Sequence, residues 1–269
     1  MARRTGTREE RIALALVAGL GLAAALYTWF GVGMPMSLPQ MTAMGGRLGD
    51  PMRMAAPEQW GFARILALFA MWWIMMIAMM LPSAAPVILL FAALRRVSDR
   101  GGAVTTAIAA FGAGYLAIWA GFSALAVLVH WGLRDSAAFA SGMMALRGEM
   151  LVGLLLVAVG LYQLTPLKRA CLRQCQSPAQ FLTRHYRPGL HGAARMGAHH
   201  GVFCLGCCWA LMLLLFAGGV MNLWWILGLA LLVLLERRAA AHPLLPALVG
   251  AVLIAAGLAV MLPGAVGPG

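Results

Sequence analysis

The sequence predicts an all-α, polytopic transmembrane bundle of about seven spans, with the N-terminus inside and the C-terminus outside. Three observations predict it. Of 269 residues, 62% are hydrophobic and 10% are charged, against about 45–50% apolar and about 25% charged in an average soluble domain. Apolar runs recur at about the 20 residues that a bilayer core requires. Basic residues alternate in density between successive segments that join these runs. So few charges cannot cover so much apolar surface in water. A soluble enzyme, a disordered chain and a disulfide-rich secreted module are excluded.

The first span is expected at 12–32; it is uncharged and too long for the core of a cleaved signal, so it reads as an anchor. The second, at 65–94, contains Pro82 and Pro86, which should kink it and free backbone carbonyls for neighbouring helices to cover. The third is expected at 103–129 and the fourth, a short one, at 150–164. The apolar stretch 202–235 is too long for one span, and Gly218, Gly219 and Asn222 divide it into 202–217 and 221–235. The seventh, at 244–262, lies between Pro243 and Pro263. The whole chain, 1–269, reads as a single transmembrane domain.

The alternation of basic residues supports this count. With the N-terminus inside, the inner segments hold 15 Arg and Lys residues and the outer ones hold 5. The formal net charge of +12 thus reads as span flanks facing anionic lipid, with membrane lipids as the expected partner. Nucleic acid is not expected, since no basic groove with interleaved aromatics is visible. Trp72, Trp73, Trp224 and Trp225 could meet other membrane subunits or anchor at the interface.

All five cysteines fall on the inner side of this map. That side is reducing, so free thiols are expected rather than disulfides. Cys171 and Cys175 are four residues apart; Cys204, Cys207 and Cys208 are spaced by three and four. Each group shares one helix face, and the loop 168–199 can fold one group onto the other. Two thiol faces meeting at a membrane surface suit a soft metal. A redox thiol pair and simple helix packing are the competing readings. Only Cys204 and Cys207 have the C-x2-C spacing of zinc ribbons, so Cu(I) and iron–sulfur chemistry stay open. His199 and His200 precede Cys204 and could complete a site or form an ordinary interfacial pair. Glu236 reads as a local ion pair beside Arg237, with a hard ligand or proton acceptor as the competing reading.

Methionine forms a second pattern. In the second span, Met71, Met75 and Met79 recur every four residues, as do Met76 and Met80. Neutral thioethers stacked on one face suit Cu(I), although methionine also packs well in any helix. Met34, Met36, Met41, Met44, Met52 and Met54 populate the outer loop, where packing is a weaker explanation. No phosphate loop, HExxH or serine elbow occurs, and no catalytic residue is assigned; an enzyme is not the expected reading.

MMIAMMLPSAAP in the second span, YQLTPLKRACLRQCQSP after the fourth, and GVFCLGCCWALMLLLFAGGVMNLWW in the fifth and sixth resemble a bacterial family. It is the family of predicted metal-binding integral membrane proteins known as domain of unknown function 2182. The resemblance implies a multi-pass protein of the bacterial inner membrane with a bound metal. By motif it singles out Met75, Met76, Met79, Met80, Pro82, Tyr162, Gln163, Pro166, Lys168, Asn222 and the five cysteines. The expected function is soft-metal handling, copper favoured over zinc, with transport or delivery in view. An accessory subunit of a membrane metalloenzyme and a thiol-based membrane oxidoreductase are the alternatives.

Overall fold

The computed structural model describes residues 8–31, 37–43, 48, 61–98, 104–134, 136–137, 139–140, 144–239 and 244–262. Among these the architecture is a helical bundle. The elements run α1 (Arg8–Phe30), α2 (Leu38–Ala43), α3 (Phe62–Ser98), α4 (Val104–Leu133), β1 (Phe139–Ala140), β2 (Ala145–Leu146), α5 (Glu149–Gln163), α6 (Pro166–Gln176), α7 (Pro178–His185), α8 (Gly189–Leu213), α9 (Leu215–Gly218), α10 (Leu223–Arg238) and α11 (Leu245–Met261). The two strands form a two-residue antiparallel ladder, Phe139 opposite Leu146.

Among the described residues a helix covers most of each of the seven expected apolar segments, but the count of seven spans is corrected. Among the described residues, four helices are long and apolar enough to cross a bilayer: 11–30, 62–96, 104–133 and 189–218. The pair α5 and α6, bent by 63°, would make a fifth if it is one span. The physical reason is length. Helices α10 and α11 have 16 and 17 residues, about 24 and 26 Å at 1.5 Å per residue, against a hydrocarbon core of about 30 Å. Helix α10 also ends in Glu236, Arg237 and Arg238. A second correction concerns the fifth span: α8 begins at Gly189 rather than 202, because the Gly-, Ala- and His-rich stretch before Val202 continues the helix instead of looping.

Helices α3, α4 and α8 form the centre. Trp72, Phe91, Phe111, Tyr115 and Trp119 are fully buried there. Trp72 is therefore an internal packing residue, whereas Trp224 is 74% exposed. Helix α3 runs unbroken through Pro82 and Pro86 over 37 residues, about 55 Å. Helices α4 and α8 cross backbone to backbone. A Cβ on Gly197 would lie 1.9 Å from the Phe111 carbonyl oxygen, and one on Gly114 2.0 Å from that of Ala194. Only glycine allows this approach, and it brings Tyr115 of α4 against Cys204 of α8. Helix α1 packs on α3, and α11 packs on α5. Outward-facing Leu22, Phe30, Leu125, Leu128, Leu248 and Val252 are more than half exposed and give the bundle an apolar outer surface.

Candidate metal centre

Three elements, α3, α6 and α8, bring the sulfur atoms together. Cys204, Cys207 and Cys208 lie on one buried face of α8. Helix α6 carries Cys171 and Cys175 back across that face. Its start follows from local sequence: Thr165 caps it by accepting a hydrogen bond from the Lys168 N–H at 3.3 Å, and Pro166 sits at its first position. The resulting 63° bend turns the chain from α5 over α8.

Helix α6 is locked by charge. The Lys168 ammonium donates to the Glu236 carboxylate at 2.6 Å, with both side chains buried. The Gln163 amide donates to the same carboxylate at 3.2 Å, and the Gln176 amide to the Glu236 carbonyl at 2.7 Å. The expected pairing of Glu236 with neighbouring Arg237 is thereby corrected. Adjacent residues on a helix project about 100° apart, so Glu236 faces α6 while Arg237 faces α3 and α8.

Cys175 and Cys207 place their sulfurs 4.0 Å apart across the α6–α8 contact. Cys171 lies against Gly206, where an added Cβ would meet its sulfur at 2.7 Å. Cys208 is 3.9 Å from the Met80 thioether of α3. The Cys207 and Cys208 thiols donate to the Cys204 carbonyl at 3.1 and 2.8 Å. Tyr115 is 3.1 Å from the Cys204 sulfur. All five cysteines are free thiols.

Arg237 completes the arrangement. Its guanidinium donates to the Cys204 sulfur, lies 3.7 Å from that of Cys207 and donates to the Ser83 hydroxyl at 2.7 Å. The side chain is 7% exposed. A permanent cation is thus set against two thiols in an apolar interior, the arrangement that would offset charge if either thiol ionised.

A metal about 2.3 Å from each of two thiolates 4.0 Å apart subtends about 120°. That geometry leaves a third position open. Among the described residues, no three His, Cys, Asp or Glu side chains are arranged to hold one ion together. The arrangement is a thiol pair, with further sulfur nearby, rather than a closed cage.

The remaining sequence-derived candidates divide. Met71, Met75, Met76, Met79 and Met80 are all buried, and Met80 reaches the cysteines. Of the outer-loop methionines only Met41 lies within the described residues; it is buried on α2. Met34, Met36, Met44, Met52 and Met54 lie outside them. His199 and His200 turn to different neighbours. His200 is buried, stacked 6.0 Å from the Tyr115 ring, and lines a cavity of about 200 Å³ with Ser83, Cys175, Gln176 and Arg237. His199 stands against His185, ring centres 4.4 Å apart, on a different cavity.

Arg237, Tyr115 and the Lys168–Glu236 pair were not singled out as site components by spacing. A signal for the pair existed. Lys168 is the one lysine in the chain, and Glu236 is the one acidic residue after Glu149. Arg237 gave no such signal, because arginine at a span end is the ordinary flank.

A family model described as PpoB2, Copper chaperone, matches residues 69–260. No curated protein matches, and no solved structure matches.

Proposed function

The chain belongs to the PpoB2 copper chaperone family, and from that premise we propose that it holds Cu(I) on the Cys175 and Cys207 thiolates and passes it on within the membrane. The observation that carries this reading is the 4.0 Å sulfur pair with Arg237 beside it. Thiolate and thioether sulfur suit Cu(I) over hard ions. Two thiolates with one Cu(I) carry a net charge of −1, and Arg237 restores neutrality. The neighbouring Lys168–Glu236 pair is neutral in itself and leaves that balance intact. A neutral assembly avoids the several-kcal/mol cost of an uncompensated charge in hydrocarbon.

The open third position is what a carrier needs. An incoming sulfur ligand can bind before an outgoing one leaves, so the ion never becomes bare. Met80 beside Cys208 supplies the nearest such ligand. Behind it the buried methionines of α3 form a neutral thioether column, Met76 one turn away and Met71, Met75 and Met79 alongside. This column is the proposed path between the outer side and the cysteines. The setting is the bacterial inner membrane, with the cysteines at its inner face.

The test is an anaerobic Cu(I) titration of the purified full chain in detergent against a colorimetric Cu(I) chelator. About one Cu(I) per chain is expected, lost in the C175S/C207S variant. Undiminished stoichiometry and affinity in that variant would overturn the assignment.

A further inference from the structure

The turn between α7 and α8 encloses a cavity of about 350 Å³, separate from the sulfur cluster. Arg184 and His185 line it from the last turn of α7, Tyr186 and Arg187 from the connection, and Arg195 and His199 from α8. We propose that this cavity binds a phosphate-bearing anion.

Charge is the first ground. Three arginines, each with its side chain open to solvent, line one small volume, and among the described residues none of the three guanidinium groups has a hydrogen bond or an ion pair. The helices and turn that line the cavity carry no acid of their own, since no acidic residue occurs between Glu149 and Glu236. Arginine presents a planar fork of donors that matches phosphate oxygens. Among the described residues no acidic side chain lines the cavity, so like charges repel there, and an anion in the cavity removes that repulsion.

The other lining groups fit the same ligand. Tyr186 accepts a hydrogen bond from the Arg95 guanidinium at 3.4 Å, which leaves its own O–H to donate. The His185 Nδ1 lies 3.0 Å from the Phe181 carbonyl oxygen, so Nδ1 carries the proton and the ring is held in place. A soft metal is the rival occupant, because His185, His199 and Met196 share the cavity. Three guanidiniums oppose a cation there, and the Met196 sulfur already accepts the Arg187 N–H at 3.2 Å.

The phosphate could be free or carried on a lipid. Leu190, 47% exposed, sits beside the turn as an apolar neighbour for an acyl chain. The last turn of α3 adds Arg95 and Arg96 at the same end, the level at which head groups lie.

The test uses the full chain in two arms. In one, it is reconstituted in phosphatidylcholine nanodiscs doped with increasing phosphatidylglycerol, and bound lipid is counted by native mass spectrometry. In the other, the protein in neutral detergent is titrated with inorganic phosphate and its thermal stability followed. R184Q/R187Q/R195Q is compared with R11Q/R169Q/R173Q, which removes the same charge from exposed positions elsewhere. Saturable binding in either arm, weakened at least tenfold in the first variant and less than twofold in the second, supports the site; the arm that saturates identifies the source. Equal loss in both variants, or no saturable binding in either arm, overturns it.

Discussion

The two soft-ligand regions of this molecule differ in how they treat charge. The cysteines are gathered from α6 and α8, with Met80 of α3 and Arg237 of α10 meeting them. The methionines come from α3 alone and lie in an apolar core with Trp72 and Phe91. Thiolates need compensation inside a membrane, so their site must be assembled from several elements and given a cation. Thioethers are neutral, so one helix can carry a column of them with no partner at all. The comparison teaches that only the cysteine region should be sensitive to the charges around it.

The largest expected effect comes from breaking the lock under the cysteines. K168M leaves the buried Glu236 carboxylate unpaired, which typically costs about 3–5 kcal/mol. Thermal unfolding in detergent should drop sharply, and K168M/E236L should recover most of the loss because neither charge then remains. A K168M protein as stable as wild type would show that α6 is held by packing alone.

Next comes the compensating cation. R237Q should weaken Cu(I) binding tenfold to a hundredfold, about 1.4–2.8 kcal/mol, with R237K restoring part of it. The loss should deepen as pH falls, because protons compete with metal for thiolate; chelator competition at several pH values reads this directly. Equal affinity in R237Q and wild type would remove the charge argument.

The methionine column should behave oppositely. M75L/M76L/M79L/M80L keeps volume and apolarity, with less than about 1.5 kcal/mol expected per site. Cu(I) stoichiometry should persist on the cysteines while loading in reconstituted vesicles slows at least tenfold. An unchanged loading rate would reduce the column to packing.

The smallest effect separates the cysteines from one another. In G206A the new Cβ would meet the Cys171 sulfur at 2.7 Å and displace it without touching Cys175. Cu(I) affinity should change less than threefold. A larger change would bring Cys171 into the coordination shell.

Much of this was readable beforehand because helical spacing is local. The three- and four-residue intervals of the cysteines put them on common faces whatever the tertiary fold, and the structure places those faces in contact. Span number was harder. Hydropathy registers apolar residues but not where a helix starts, so the polar beginning of α8 was invisible; the short run 221–235 was visible, but its apolarity counted it as a span that a 16-residue α10 is too short to make. Arg237 was the least accessible feature. Its role depends on α10 running from Thr42, whose hydroxyl accepts the Leu223 N–H at 2.9 Å, down to Ser83; no local pattern encodes that course.

The central claim is that Cu(I) rests on a charge-compensated thiolate pair. X-ray absorption at the copper edge of the Cu(I)-loaded full chain tests it most directly, with C175S/C207S and R237Q alongside. The account predicts a three-coordinate or lower-coordinate, sulfur-only first shell in wild type and R237Q alike, and no specific signal in C175S/C207S. A shell dominated by nitrogen, or a sulfur shell that survives in C175S/C207S, would contradict it.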